Sequence, residues 1–274
     1  MIDSRLFDLR ERTAIVTGGS GVLGRAMAKG LVNAGAQVCL IGRDQNKAEQ
    51  VARELASDGA PVLAFSADVT QRAALERAAE QILAQWKRID ILVNAAGGNR
   101  PEATVSTHQT FFDLPREALD ASLDSNLLGT ILPCQVFGKA LADVRAGSII
   151  NISSMAASRP LTRVVAYAAA KAAVENFTRW LAVYMAREFS PQIRVNAIAP
   201  GFFLGEQNRA MLVDATTAEL TPRGRTIIEH TPAGRFGEPA DLVGTLLWLA
   251  SPASAFVTGI VVPVDGGFSA YSGV

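Results

Sequence analysis

The sequence is poor in the residues from which metal sites and disulfide frameworks are built. Its 274 residues include two histidines and two cysteines, and none falls in a metal-ligand spacing. Cys39 and Cys134 sit in apolar stretches that read as buried elements, so both are expected to be reduced core residues of a reducing compartment. His108 reads as a loop residue, so no metal site is expected. Net charge is lacking as well: 26 basic residues balance 26 acidic ones, which argues against a nucleic-acid footprint or a polybasic membrane patch. The opening MIDSRLFDLRER is charged throughout and does not read as a signal peptide, and no apolar run approaches the length of a membrane span. Cytoplasmic residence without a nucleic-acid or membrane partner is the expectation. Internal repeats and low-complexity linkers are absent too, so residues 1–274 read as one domain with enough chain for a sizeable core.

What is present is alternation. TAIVTGG from Thr13 reads as a strand, followed by the glycine-rich TGGSGVLG at residues 17–24 and a helical pattern, RAMAKGLVNAGA. Strand, glycine turn and helix in that order make a dinucleotide-binding context. The glycines let the backbone approach a pyrophosphate, and the helix N-terminus presents N–H donors. Gly18, Ser20, Gly21, Val22, Leu23 and Gly24 are the candidate contacts, against the alternative of a tight turn without chemistry. The second strand, AQVCLIG, ends at Gly42, Arg43 and Asp44. An acid at that tip would accept from a ribose 2′-hydroxyl, whereas Arg43 can pair with a 2′-phosphate, which favours NADP(H) with NAD(H) as the alternative. The competing reading leaves Arg43 in water and makes Asp44 the cap of the next helix.

APVLAFSADV ends at Asp68 and Val69, with Thr70 expected to cap the helix that follows. The fourth strand, DILVNAAGG, ends in Asn94, Ala95, Ala96, Gly97 and Gly98, small residues that suit a close approach of backbone to cofactor. Repeated strand–helix units imply right-handed crossovers and a doubly wound parallel α/β sheet with helices on both faces. Ligands then bind outside the carboxyl ends of the strands. The 16-residue polar loop at residues 99–114 is long for a connection and suited to substrate contacts. The stretch at about residues 202–237 has no simple period and reads as a lid or substrate-binding insertion.

The stretch SMAASRPLTRVVAYAAAK carries the candidate chemistry. Tyr167 and Lys171 are four residues apart in a run of helix formers, which puts them on one helical face. A cation there is expected to lower the phenol pKa from its reference of about 10, making Tyr167 a general acid/base. Ser154, thirteen positions earlier at the end of the apolar run GSIINIS, is placed to hydrogen-bond a carbonyl. A structural ring and a solvated charge are the bland alternative for the Tyr–Lys pair.

The glycine turn, VNAAG, Asn126, Ser154, Tyr167, Lys171 and APG, in this order and spacing, make the chain resemble the classical short-chain dehydrogenase/reductases from Leu6 to the terminal VDGG. The resemblance implies a Rossmann-type fold and NAD(P)-dependent hydride transfer at a carbonyl or alcohol carbon. It implies that Tyr167 is the proton donor, Ser154 orients the carbonyl, Lys171 lowers the tyrosine pKa and holds the nicotinamide ribose, and Asn126 fixes a water of the proton relay. It assigns the adenine to Asp68 and Val69, a cofactor contact to Asn94, and the nicotinamide side to Pro200, Gly201 and Phe203. Two positions depart from the family pattern. Val22 replaces the glycine at the sixth place of TGxxxGxG, and Gly205 stands where a threonine usually reaches the nicotinamide amide. Homodimers or homotetramers are implied through the helix after Asn126 and the helix bearing Tyr167, whose apolar outer stripe (Phe177, Leu181, Tyr184) suits such an interface or the core.

VNAAGGN, FFDL, NLLGT, GRFGEP and VDGGFSAYSGV are similar to the D-mannonate oxidoreductase (fructuronate reductase) branch, which implies a keto sugar acid as the small-molecule substrate. A carboxylate wants a fork-shaped cation. Arg100, Arg159, Arg163 and Arg209 are candidates for it, with Asn99, Gln207 and Asn208 for the hydroxyls. Another carbonyl, such as a 3-oxoacyl thioester or a polyol-derived ketone, is the rival substrate. A non-catalytic dinucleotide sensor is the rival of another class.

Overall fold

Along β1 (Thr13–Thr17) every side chain is buried, and the faces alternate as a strand requires: Ala14 and Val16 join one hydrophobic cluster, Ile15 the other. The same two-faced burial recurs along β2 (Gln37–Gly42), β4 (Ile91–Asn94), β5 (Gly147–Ile152) and β6 (Ile193–Pro200). With β3 (Val62–Ser66) and β7 (Val261–Val264) these form a seven-stranded sheet in the order β3-β2-β1-β4-β5-β6-β7, parallel throughout. The chain therefore has the doubly wound α/β architecture expected of its alternating pattern. The structure is a computed structural model and describes residues 4–56, 59–205 and 209–273.

Helices α1 (Val22–Asn33), α2 (Gln45–Leu55) and α9 (Val243–Ala250) cover one face of the sheet, and α3 (Arg72–Trp86), α5 (Gly129–Val144) and α6 (Val165–Glu188) cover the other. Asp44 caps α2, its carboxylate accepting from the Lys47 N–H at 3.0 Å. The cap of α3 is Gln71 rather than Thr70: the Thr70 N–H and hydroxyl turn back to Asp68 instead.

A short helix, α4 (Arg116–Leu123), runs through a π-helical turn at Asp124–Leu128 into α5. By length and composition this combined run, Arg116–Val144, passes as a membrane-crossing helix, which the sequence reading did not anticipate. Its most apolar window is 44% buried within the protein, and α5 packs on α3, β4 and β5.

The insertion after β6 carries α7 (Arg209–Leu212) and α8 (Pro222–Glu229). Leu212, Val213, Ile227 and Phe236 give it a small hydrophobic cluster of its own. Gly224 makes that packing possible, because a methyl group there would lie 2.2 Å from the Leu212 carbonyl oxygen.

Candidate active site

The turn after β1 is built for a close approach. The Gly18 N–H donates to the Ile41 carbonyl at 2.8 Å, and its φ of +65° suits glycine. A methyl group on Gly18 would sit 2.8 Å from the Ala96 Cα, and one on Gly24 2.2 Å from the Gly18 carbonyl oxygen. Gly21 caps α1 without any side-chain hydrogen bond, so the donors of the first helical turn are left for a ligand. Val22, the departure from the glycine pattern, is the first helical residue and points outward at 42% exposure, so it does not fill the cradle. These features fit a dinucleotide pyrophosphate.

At the adenosine end, Arg43 is exposed and its side chain makes no hydrogen bond or ion pair among the described residues. Burial raises the pKa of Asp68, but the Thr70 N–H and hydroxyl and the charges of Arg43 and Arg100 together hold it below the ordinary carboxylate range. Arg100 thus acts on Asp68 through its charge. Val69 packs on Gly129, where a methyl group would come within 2.8 Å of Cγ2.

The end of β4 is held from two directions. Thr17 Oγ1 accepts from the N–H groups of Ala95 and Ala96, each at 3.2 Å. Asn126, wholly buried in the π-helical turn, accepts from the Gly98 N–H at 2.9 Å and donates to the Gly98 and Ser122 carbonyls, both at 2.9 Å. Both amide hydrogens are thus engaged by backbone carbonyls, which makes the Asn126 side chain a clamp on Gly98. Asn94 also differs from expectation. It is 1% exposed and donates to Asn151 Oδ1 at 2.9 Å and Cys134 Sγ at 3.1 Å, so it braces the sheet interior from beneath the cleft.

Ser154 lies past the end of β5, capping a short 3-10 turn at Met155–Ala157, and its hydroxyl accepts from the Ala156 N–H at 3.1 Å. Tyr167 and Lys171 occupy the first turns of α6, as their spacing predicts. Lys171 is 4% exposed, donates from Nζ to the Ile152 carbonyl at 2.8 Å, and stands 5.7 Å from the centre of the Tyr167 ring. Burial pulls its pKa down to about 8. The phenol behaves opposite to the sequence expectation: desolvation raises the Tyr167 pKa above its ordinary value, and the Ser154 hydroxyl, not Lys171, is the group that works against that rise. A methyl group on Gly97 would lie 3.6 Å from Lys171 Nζ, so the strand end, the amine, the phenol and the serine share one site. Ser153 adds a brace missed in the sequence, its hydroxyl 3.1 Å from Glu175 Oε1 and 3.3 Å from the Lys171 carbonyl.

On the opposite wall, β6 ends at Pro200, and the Gly201 N–H donates to the Val264 carbonyl at 3.0 Å. A methyl group on Gly201 would meet the Asp265 Cα at 2.6 Å. The Phe203 ring, expected beside the cofactor, is 7% exposed and packs on Gly237 in the core. Among the expected substrate residues, Asn99 donates to Thr104 Oγ1 at 2.8 Å and keeps a buried, unpartnered Oδ1. Arg159 is exposed and donates from Nε to the Ser269 carbonyl at 2.9 Å, and Arg209 is exposed on α7. Arg163 is half-buried just before α6. Gln207 and Asn208 lie outside the described residues. Arg223 is half-buried on α8, and burial, then the charge of Arg163, lower its pKa. Among the described residues there is no cluster of metal-ligating side chains.

The family model described as enoyl-(acyl carrier protein) reductase matches residues 19–269. UxuB of Bacillus subtilis strain 168, an oxidoreductase of uncharacterized activity, is 48% identical over 276 residues, covering 97% of this chain and 98% of its own. The crystal structure of a proposed D-mannonate oxidoreductase from Haemophilus influenza with bound NAD is 43% identical with a TM-score of 0.91, over 97% of this chain and 98% of that one. A gluconate 5-dehydrogenase from Burkholderia cenocepacia J2315, in complex with NADP and tartrate, is 32% identical with a TM-score of 0.87, over 97% and 98% of the two chains. A likeness spanning almost the whole chain, on a site already furnished with phenol, amine and serine hydroxyl, makes this protein a member of the classical short-chain dehydrogenase/reductase family and an NAD(P)-dependent oxidoreductase of alcohol carbons.

Proposed function

We propose that the protein interconverts a keto sugar acid and its alcohol, D-fructuronate and D-mannonate or a close relative, with NADP(H) favoured and NAD(H) accepted. The observation that carries this reading is the convergence of Ser154, Tyr167 and Lys171 beside Gly97. The bound dinucleotide supplies hydride to the carbonyl carbon or takes it from the carbinol.

Ser154 donates to the carbonyl oxygen and fixes its position. Tyr167, kept protonated by desolvation, delivers the proton as charge develops on that oxygen. Lys171, anchored by Ile152, holds the ribose and places a cation beside the phenolate that proton donation leaves behind. Asn126 keeps Gly98, and with it the floor of the site, in place. The residues 202–237 act as the lid. Two relatives, a proposed D-mannonate oxidoreductase and a gluconate 5-dehydrogenase solved with tartrate, support a sugar-acid substrate. Arg43 at the tip of β2, with Asp44 engaged as a helix cap, supports NADP(H).

We also propose a cytoplasmic homo-oligomer. Trp180, Val183 and Tyr184 form the exposed stripe of α6, the two aromatic rings stacked at 5.0 Å, while Leu181 belongs to the core. Turnover assays with D-fructuronate, acetoacetyl thioester and neutral ketoses test the substrate. Selective oxidation of the nicotinamide with D-fructuronate is expected, and preference for the thioester would replace this reading.

A further inference from the structure

The segment that follows β7 is folded by one carboxylate. Asp265 Oδ1 accepts from the Gly267 N–H and Oδ2 from the Ser269 N–H, each at 2.9 Å. Gly266 and Gly267 take φ of +64° and +89°. A methyl group on Gly266 would lie 2.8 Å from Thr231 Cγ2, and one on Gly267 3.1 Å from Pro232 Cγ. The turn therefore lies directly against the residues that follow α8. The Ala233 N–H closes this contact, donating to the Gly266 carbonyl at 2.9 Å.

Three further links join this segment to its surroundings. The Phe268 ring meets Phe202 edge-on at 5.3 Å between centroids, and Phe202 packs on the insertion's own hydrophobic cluster. The Tyr271 ring meets His230, the residue after α8, edge-on at 6.2 Å. On the other side Arg159 donates to the Ser269 carbonyl, from Nε at 2.9 Å and from Nη2 to the same oxygen. Arg159 stands five residues after Ser154, and its own N–H donates to the Met155 carbonyl at 3.0 Å. It is thereby fixed to the turn that Ser154 caps. One segment thus contacts both the insertion and the turn of the catalytic serine.

We infer that residues 265–271 form a strap that holds the insertion to the Ser154 turn, with Arg159 as its fastening: a positioning residue, not a ligand of the substrate. This rests on the reading of residues 202–237 as a lid and names what keeps that lid seated. Local opening of the insertion breaks contacts along the strap, so each link sets how often the lid stands open. The links act in series. Loss of one loosens the lid, and loss of a second adds little.

The test compares wild type with Arg159→Ala, Arg159→Lys, Tyr271→Ala and the double variant Arg159→Ala/Tyr271→Ala. Trypsin cleavage within α8, after Arg223 or Arg225, reads opening of the insertion, and kinetics with D-fructuronate and NADPH read its consequence. Cleavage should be about fivefold faster in each alanine variant, the scale of one hydrogen bond or one ring pair, and no more than about that in the double variant. Arg159→Lys, whose ammonium can still donate to a carbonyl, should fall between wild type and Arg159→Ala. KM for D-fructuronate should rise by a similar factor with kcat within about twofold, and unchanged NADPH affinity shows an intact frame. Equal cleavage in wild type and both alanine variants overturns the strap, as do effects that multiply in the double variant. A KM that rises in Arg159→Ala and not in Tyr271→Ala also overturns it and makes Arg159 a substrate ligand. A wild-type protein inert toward D-fructuronate removes the sugar-acid reading alone, since the cleavage rates then decide the strap by themselves.

Discussion

Lys171 donates to the carbonyl of Ile152 at 2.8 Å, so the amine is fixed by the last residue of β5 and not by the phenol one helical turn away. Burial lowers its pKa from 10.5 to about 8. Between those values the folded chain binds fewer protons at this site than the unfolded chain, so the burden of the buried charge is present below about pH 8 and is relieved as pH rises toward 10.5. Loss of that charge also removes a cation from the ribose site. NADPH affinity, followed by fluorescence, should weaken as pH passes about 8 in wild type and lose this step in Lys171→Met. A step of equal size in the variant would assign it to another group.

Tyr167 has the opposite shift, upward through desolvation, and stays protonated at neutral pH. Tyr167→Phe keeps the ring and removes the proton. Turnover should fall by about 10²–10⁴-fold. NADPH affinity should stay within about threefold, because the change acts on the chemical step and not on binding. Equal turnover in both proteins would favour the sensor reading over the enzyme.

Gly97 has a φ of +132°, and a methyl group there would lie 2.6 Å from Asn126 Oδ1. Gly97→Ala should therefore cost about 1–3 kcal/mol in backbone strain alone, and break the Asn126 clamp on Gly98. Thermal denaturation should show a lowered Tm together with weakened NADPH binding. A variant with wild-type Tm and affinity would show that the strand end is not under this constraint.

Much of this site was legible in the sequence, for reasons that differ by residue. Tyr167 and Lys171 were found because four-residue spacing on a helix is a local property, and the strand ends because every parallel strand feeds its carboxyl edge. The partner of Lys171 was not legible, since Ile152 lies 19 positions away and offers only a backbone carbonyl. The inward turn of Asn94 and Phe203 depends on what packs behind them, namely Asn151 and Cys134 for one and Gly237 for the other. The engagement of Asn126 follows from a π-helical turn that its composition does not announce.

Arg43, at the tip of β2, makes no side-chain hydrogen bond or ion pair among the described residues. Arg43→Ala should raise KM for NADPH by about tenfold or more, the scale of a charge-assisted contact to phosphate, and leave KM for NADH nearly unchanged. Kinetics with both dinucleotides check this. Parallel changes for the two cofactors would remove Arg43 from the 2′-phosphate site.

The most direct measurement is isotope transfer. D-Fructuronate is incubated with NADPH deuterated at the transferable position, and the product is examined by NMR, with wild type and with Tyr167→Phe. The account predicts deuterium on the former keto carbon of D-mannonate with wild type and almost none with the variant. Absence of transfer with wild type, or undiminished transfer without the phenol, would contradict it.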